Sequence, residues 1–223
     1  RRLIIVNKLY ELQKEYGLFI NGEWRPASDK APFETKNPAT GETLAHCAEA
    51  TEKDVDDAVR SARTAFKQWK ETSPAERAEL LCLIADVIDA NREHLAMVEI
   101  MDNGKPIREA LYVDVPESAN HFRYFAAAVR AEEGSASMID GKTLSIILRE
   151  PIGVAGQIVP WNFPLLMAAW TPAPALSVAS GVAFTPPSRT SLSGPDPIPM
   201  LEATPHHGLV TSVIGLDFKC PQF

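Results

Sequence analysis

REPIGVAGQIVPWNFPLLMAAW, residues 149–170, changes its pattern twice within one short span. Gly153–Val159 is a continuous apolar run closed by Pro160, the signature of a strand buried on both faces of a parallel sheet. Pro164 has no N–H to lose at a first helical position, so PLLMAAW reads as a helix opening behind that strand. Asn162 and Gln157, with the prolines, interrupt the apolar character, so a membrane span is not expected here. A buried strand feeding a helix is the repeating unit of an α/β fold.

Upstream of this stretch the signals are mostly helical. Thr51-Glu52-Lys53-Asp54 predicts a helix cap, and Val55, Ala58, Val59, Ala62, Ala65, Phe66 and Trp69 then recur on one face. Ser73-Pro74-Ala75-Glu76 is a capping box with proline at the first position, followed by Leu80, Leu81, Ile84, Ala85 and Ile88. A third helix carries Leu95, Val98 and Met101 and stops at Asn103-Gly104. A fourth is expected from near Pro116, through Phe122, Phe125, Ala126 and Val129, to Gly134. Before the helices, LFINGEW at 18–24 predicts a hairpin turning on Asn21-Gly22, and a short strand is expected near Thr43–Ala48. Thr143–Glu150 reads as a further strand. Beyond Glu150 lie twelve of the eighteen prolines, and those from Pro186 to Pro205 forbid a regular helix in the tail. Leu209–Leu216 is its one strand-like run.

Composition bounds the function classes. With 45% hydrophobic and 23% charged residues the chain is ordinary for a globular protein. A net charge of -7 argues against nucleic acid or an anionic membrane as partner. Cys47, Cys82 and Cys220 fit neither a zinc site nor a disulfide framework, which points to a reducing, cytoplasmic setting and no metal. Neither a glycine-rich dinucleotide fingerprint nor a phosphate-binding P-loop occurs. His94 and His121 read as surface or core residues, the pair His206-His207 in the proline-rich tail is a weak metal candidate, and Glu99, Asp102 and Lys105 read as solvated helix-end charges.

Longer strings carry a resemblance. GLFINGEW at 17–24, NPATGE at 37–42, VDDAVRSARTAFKQW at 55–69, SPAERAELL at 73–81, MDNGKPIREA at 101–110 and the stretch 149–170 resemble, in order and spacing, the opening of an aldehyde dehydrogenase. The resemblance covers about residues 14–184. It implies the front part of a Rossmann-type cofactor-binding domain with an oligomerisation arm strand at about 143–153. Residues 1–13 would then form an N-terminal extension and 185–223 a divergent proline-rich tail.

In that family a cysteine thiolate attacks the aldehyde, hydride passes to NAD or NADP, and a glutamate activates water to release the acid. The resemblance assigns Asn162, in Pro-Trp-Asn-Phe-Pro, as a side-chain donor to the oxyanion of the reaction. Read without the family, an asparagine just before a helix caps backbone N–H groups. Ile158, Val159, Pro160 and Trp161 match positions lining the cofactor groove, although Trp161 alone would pass for a core aromatic. The family lysine that grips the adenosine ribose is replaced by Thr185 before Pro186, and Ala179-Ser180 replaces a usual Gly-Asn.

The segments for the nucleophile and general base find no match, and Cys220 does not have the nucleophile's context. The resemblance thus implies a small aldehyde as substrate and a homo-oligomer in the family. The function it implies is oxidation of that aldehyde to a carboxylic acid, with this chain alone expected to be inactive; the alternative is a catalytically inactive relative, either an assembly partner or without function. Threonine offers a neutral hydroxyl where lysine offers a charge-assisted bond. Calorimetric titration of this chain with NAD should therefore detect no binding in the low-micromolar range, and a low-micromolar dissociation constant would contradict the reading of Thr185.

Overall fold

A computed structural model describes residues 12–29, 31–186 and 192, and the backbone of 210–212. Expectations about Cys220, about His206 and His207, and about most of the proline-rich tail lie outside the described residues. The chain opens with five short strands: β1 (Glu15–Tyr16), β2 (Leu18–Ile20), β3 (Glu23–Arg25), β4 (Phe33–Lys36) and β5 (Thr43–Cys47). Asn21 (φ 58°) and Gly22 (φ 79°) both adopt the left-handed conformation that closes the β2–β3 hairpin.

Helices α1 (Glu52–Trp69), α2 (Pro74–Ala90) and α3 (Arg92–Asn103) follow. Thr51 and Asp54 form a reciprocal capping box at the head of α1, as Ser73 and Glu76 do at the head of α2. Gly104 ends α3 in the left-handed region (φ 80°), where a Cβ would also lie 2.8 Å from the Pro38 ring. This turn sends the chain back across the end of α3.

The next helical segment begins earlier than Pro116. It runs through α4 (Ile107–Glu109) and a π-helical turn (Ala110–Asp114) into α5 (Val115–Arg130). Proline lacks an N–H and crowds the carbonyl four residues back. The widened turn just before Pro116 accommodates that crowding without ending the helix.

A two-stranded arm, β6 (Ser135–Met138) paired with β7 (Leu144–Ile147), projects from the end of α5. The Asp140 carboxylate accepts the N–H groups of Lys142 and Thr143 to close its turn. Sequence reading found only the second strand, because SASM is short and has no β-branched or aromatic residue.

Next come β8 (Val154–Ile158), α6 (Pro164–Trp170), α7 (Pro172–Ser177) and β9 (Gly181–Thr185), with β10 (Val210–Ser212) inside the expected tail run. The larger sheet has the order β3-β2-β10-β9-β8, with β8, β9 and β10 parallel. A second sheet joins β1, β5 and β4.

Of the two neighbouring parallel strands, β9 and not β8 is buried along its whole length. β9 lies between β8 and β10 and packs against α1 and α7, whereas β8 is the edge strand and stays half-exposed. α2 and α5 are the main helix pair, and their apolar faces join those of α6 and α7 in the principal core.

Ala179, fully buried before β9, has φ 60°. Left-handed backbone costs an L-residue about 1–2 kcal/mol. Replacing Ala179 with glycine relieves that strain, while losing a methyl worth about 0.8 kcal/mol and adding about 0.4–1 kcal/mol of unfolded-chain entropy. Ala179→Gly should therefore leave stability in urea unfolding within about 1 kcal/mol of the parent. Ala85→Gly, at a buried mid-helix site in α2, should cost about 2 kcal/mol by lost methyl and helix propensity together. Equal losses at the two positions would show that Ala179 carries no strain.

Candidate functional site

Parallel strands end together where β8 and β9 finish. Ile158 pairs with Thr185 in register, and the Val159 N–H donates to the Thr185 carbonyl at 3.3 Å. The carboxyl ends of parallel strands are where α/β sheets leave a crevice for ligands. Of the residues singled out at this edge, Val159 and Thr185 are buried, while Ile158, Pro160 and Trp161 are exposed. Trp161 is therefore not a core aromatic.

Asn162 also sits in this loop, with its side chain exposed. The N-cap of α6 is Phe163, and no side chain caps that helix. Asn162 therefore does not perform the capping role that its sequence position suggests. Ile158, Val159, Pro160, Trp161, Thr185 and Asn162 thus lie along one rim, running from the ends of β8 and β9 to the start of α6.

Three residues read from sequence as solvated charges are instead buried beneath this rim. Glu99 is 0% exposed and Asp102 2%. The Lys105 side chain is only 8% exposed. Its Nζ donates to Glu99 Oε1 (2.8 Å), Asp114 Oδ2 (2.5 Å) and the Asn162 carbonyl (3.1 Å), and it lies 4.6 Å from the centroid of the Phe163 ring. A buried ammonium is tolerable only when paired in this way. Asn103 Nδ2 donates to the Trp161 carbonyl at 2.6 Å. Asp102 points elsewhere, accepting from Thr35 Oγ1 (3.3 Å) and the Leu192 N–H (3.0 Å). The only signal for this cluster in the sequence was Asn-Gly-Lys after an apolar stripe, which fits a solvated helix end equally well.

Burial pushes the Glu99 carboxyl up to about 7, against the opposing pull of Lys105. Its Oε2 is buried with no hydrogen-bond partner among the described residues. Burial, with the nearby Asp102 charge, pushes the Cys47 thiol up to about 12, so Cys47 is no thiolate at neutral pH. Cys82 is exposed on α2. No group of His, Cys, Asp and Glu able to hold a metal occurs among the described residues, and none of their helices is long and apolar enough to cross a membrane.

Comparison with known proteins bears on this site. The sequence model of the aldehyde dehydrogenase family matches residues 24–215, beyond the limit at 184 visible by inspection. A probable aldehyde dehydrogenase of Mycobacterium tuberculosis is 45% identical over 185 residues, 83% of this chain and 36% of that protein. The NAD+ complex of an aldehyde dehydrogenase from Bacillus cereus superposes with a TM-score of 0.87 at 40% identity, covering 90% of this chain and 42% of the other. The aldehyde dehydrogenase KauB from Pseudomonas aeruginosa gives 0.88 at 34% identity, over 92% and 42% of the two chains. The chain thus spans about a third of the length of the curated relatives it matches.

The buried carboxyl makes a prediction about stability. An unfolded chain releases the Glu99 proton in the ordinary carboxylate range, whereas the fold keeps it until about 7. Between those limits the native state holds the extra proton, so stability falls as pH rises, by roughly 1 kcal/mol per unit from this group. Urea unfolding at pH 5 and pH 7 should show that loss, and Glu99→Gln should flatten it. An equal slope in the variant would show that Glu99 titrates normally.

Proposed function

Because the chain belongs to the aldehyde dehydrogenase family, we propose that it supplies the cofactor edge and the oxyanion donor for NAD- or NADP-dependent oxidation of a small aldehyde to a carboxylic acid. The observation that carries this reading is the exposed Asn162 side chain in a loop anchored through its backbone, beside a helix it does not cap. A carboxamide N–H donor held at a fixed place stabilises negative charge as it develops on a carbonyl oxygen, because it needs no reorganisation at that moment.

When bound, NAD or NADP would supply the hydride acceptor for this chemistry. The residues at the strand ends fit such a group by position: Ile158, Val159, Pro160 and Trp161 offer a mostly apolar wall, and Thr185 offers a hydroxyl without charge. Relatives support the cofactor class, since both the Bacillus cereus enzyme and PnpE from a Pseudomonas species were solved with NAD. The thiolate and the water-activating carboxylate come, in this reading, from outside the described residues, since Cys47 is locked as a thiol and Cys82 lies on the α2 surface. The free thiols of Cys47 and Cys82 agree with a reducing, cytoplasmic setting.

The arm favours a second reading, an assembly partner without catalysis. Met138, Ile139, Leu144, Ile146, Ile147 and Leu148 are all more than half exposed on a two-stranded ribbon. An isolated ribbon is marginal in water, and so much apolar surface marks an interface. Both readings include a homo-oligomer built through this arm.

Assays on the intact protein separate the two. Asn162→Ala should lower kcat for acetaldehyde oxidation about 100- to 1000-fold, the usual cost of an oxyanion donor, with the melt unchanged. The present chain alone should give no steady NADH formation. An unchanged kcat in the variant would remove Asn162 from the chemistry. An intact protein that is inactive yet dimeric by light scattering would favour the assembly reading.

A further inference from the structure

We propose that Asn103 and Lys105, on the turn that ends α3, are positioning residues for Asn162. This rests on the reading of Asn162 as oxyanion donor. Two peptide planes meet at the Asn162 Cα, and each is rigid because the peptide bond is planar. The Trp161 carbonyl lies in the first plane and is held by Asn103 Nδ2 at 2.6 Å. The Asn162 carbonyl lies in the second and is held by Lys105 Nζ at 3.1 Å. With both planes clamped, the Cα–Cβ direction of Asn162 is set, and only its side-chain torsions stay free.

Lys105 is itself fixed. An ammonium has three donors, and here all three are spent, on Glu99, Asp114 and Asn162. The Phe163 ring covers the charge at 4.6 Å, so the residues on both sides of Asn162 are engaged by the same turn. The Asn103–Trp161 and Lys105–Asn162 bonds span 58 and 57 positions of sequence, so neither serves the local geometry of α3 or α6. Stability of the core does not require them either: both acceptors are backbone carbonyls of an exposed loop that water could satisfy. What the clamp achieves is a fixed aim for one side chain, and misplacing a reacting group by about 1 Å typically costs on the order of 100-fold in rate.

Hydrogen exchange followed by mass spectrometry on the full chain tests the clamp, with kinetics of the intact protein as its second arm. Lys105→Met should speed exchange of the peptide containing Trp161, Asn162 and Phe163 at least tenfold, leaving the α2 peptide unchanged. Asn103→Ala removes only the Trp161 bond and should give a smaller acceleration, and it serves if Lys105→Met fails to fold. In the kinetic arm both variants should lower kcat with little change in KM. Neither should lower it further in an Asn162→Ala background, where a general structural lesion would still add its cost. Unchanged exchange in folded variants, or full additivity with Asn162→Ala, would overturn the proposal. Accelerated exchange combined with a normal kcat for Asn162→Ala would instead overturn the donor reading of Asn162 and leave the clamp standing.

Discussion

A cation buried under a loop imposes order on everything that touches it. The Lys105 ammonium is largely removed from water; Glu99 and Asp114 balance its charge there, and the Asn162 carbonyl takes its third donor. Each partner comes from a different part of the chain: the body of α3, the π-helical turn before α5, and the loop between β8 and α6. The turn that ends α3 is thereby tied to the loop at the sheet edge, with the Asn103–Trp161 bond beside it. Gly104 makes the tie possible, since only a left-handed residue against Pro38 lets the chain double back and deliver Lys105 beneath the loop.

The sheet supplies the other half of the site. β9 is enclosed by strands on both sides and by α1 and α7 on its faces, so its end at Thr185 is held rigidly. β8 runs parallel beside it and ends at the same pair, which brings Ile158 and Val159 to Thr185. The loop that carries Trp161 and Asn162 leaves from this edge and is met by the α3 turn from below. A rim of apolar and neutral polar groups, with one exposed carboxamide anchored through its backbone, is the result.

Glu99 shows the tension in this arrangement. Its Oε1 serves Lys105, while its Oε2 is buried without a hydrogen-bond partner among the described residues. Burial therefore works against its charge even as the lysine favours it. Replacing such a cluster with apolar residues is often neutral for stability elsewhere. Its presence beneath the one loop that bears Asn162 is consistent with a part in orientation.

The helices α1, α2 and α3, the Asn21-Gly22 hairpin, the Pro164 helix start and the strand after Ile152 were legible from sequence because their signals are local. Caps, turns and apolar stripes act between residues at most a few positions apart. The resemblance of residues 149–170 to the family also located the loop and its asparagine. Tertiary structure alone decided the rest. Whether β8 or β9 is the enclosed strand depends on which neighbours pair with it, and the two apolar runs look alike on paper. The arm strand SASM exists because TLSII lies opposite it. Above all, Glu99, Asp102 and Lys105 read as solvated charges, since a charge at a helix end normally faces water; here their partners lie up to 90 positions away. Burial of a charge is fixed by which distant groups the fold brings to it, and no window of neighbouring residues contains that information.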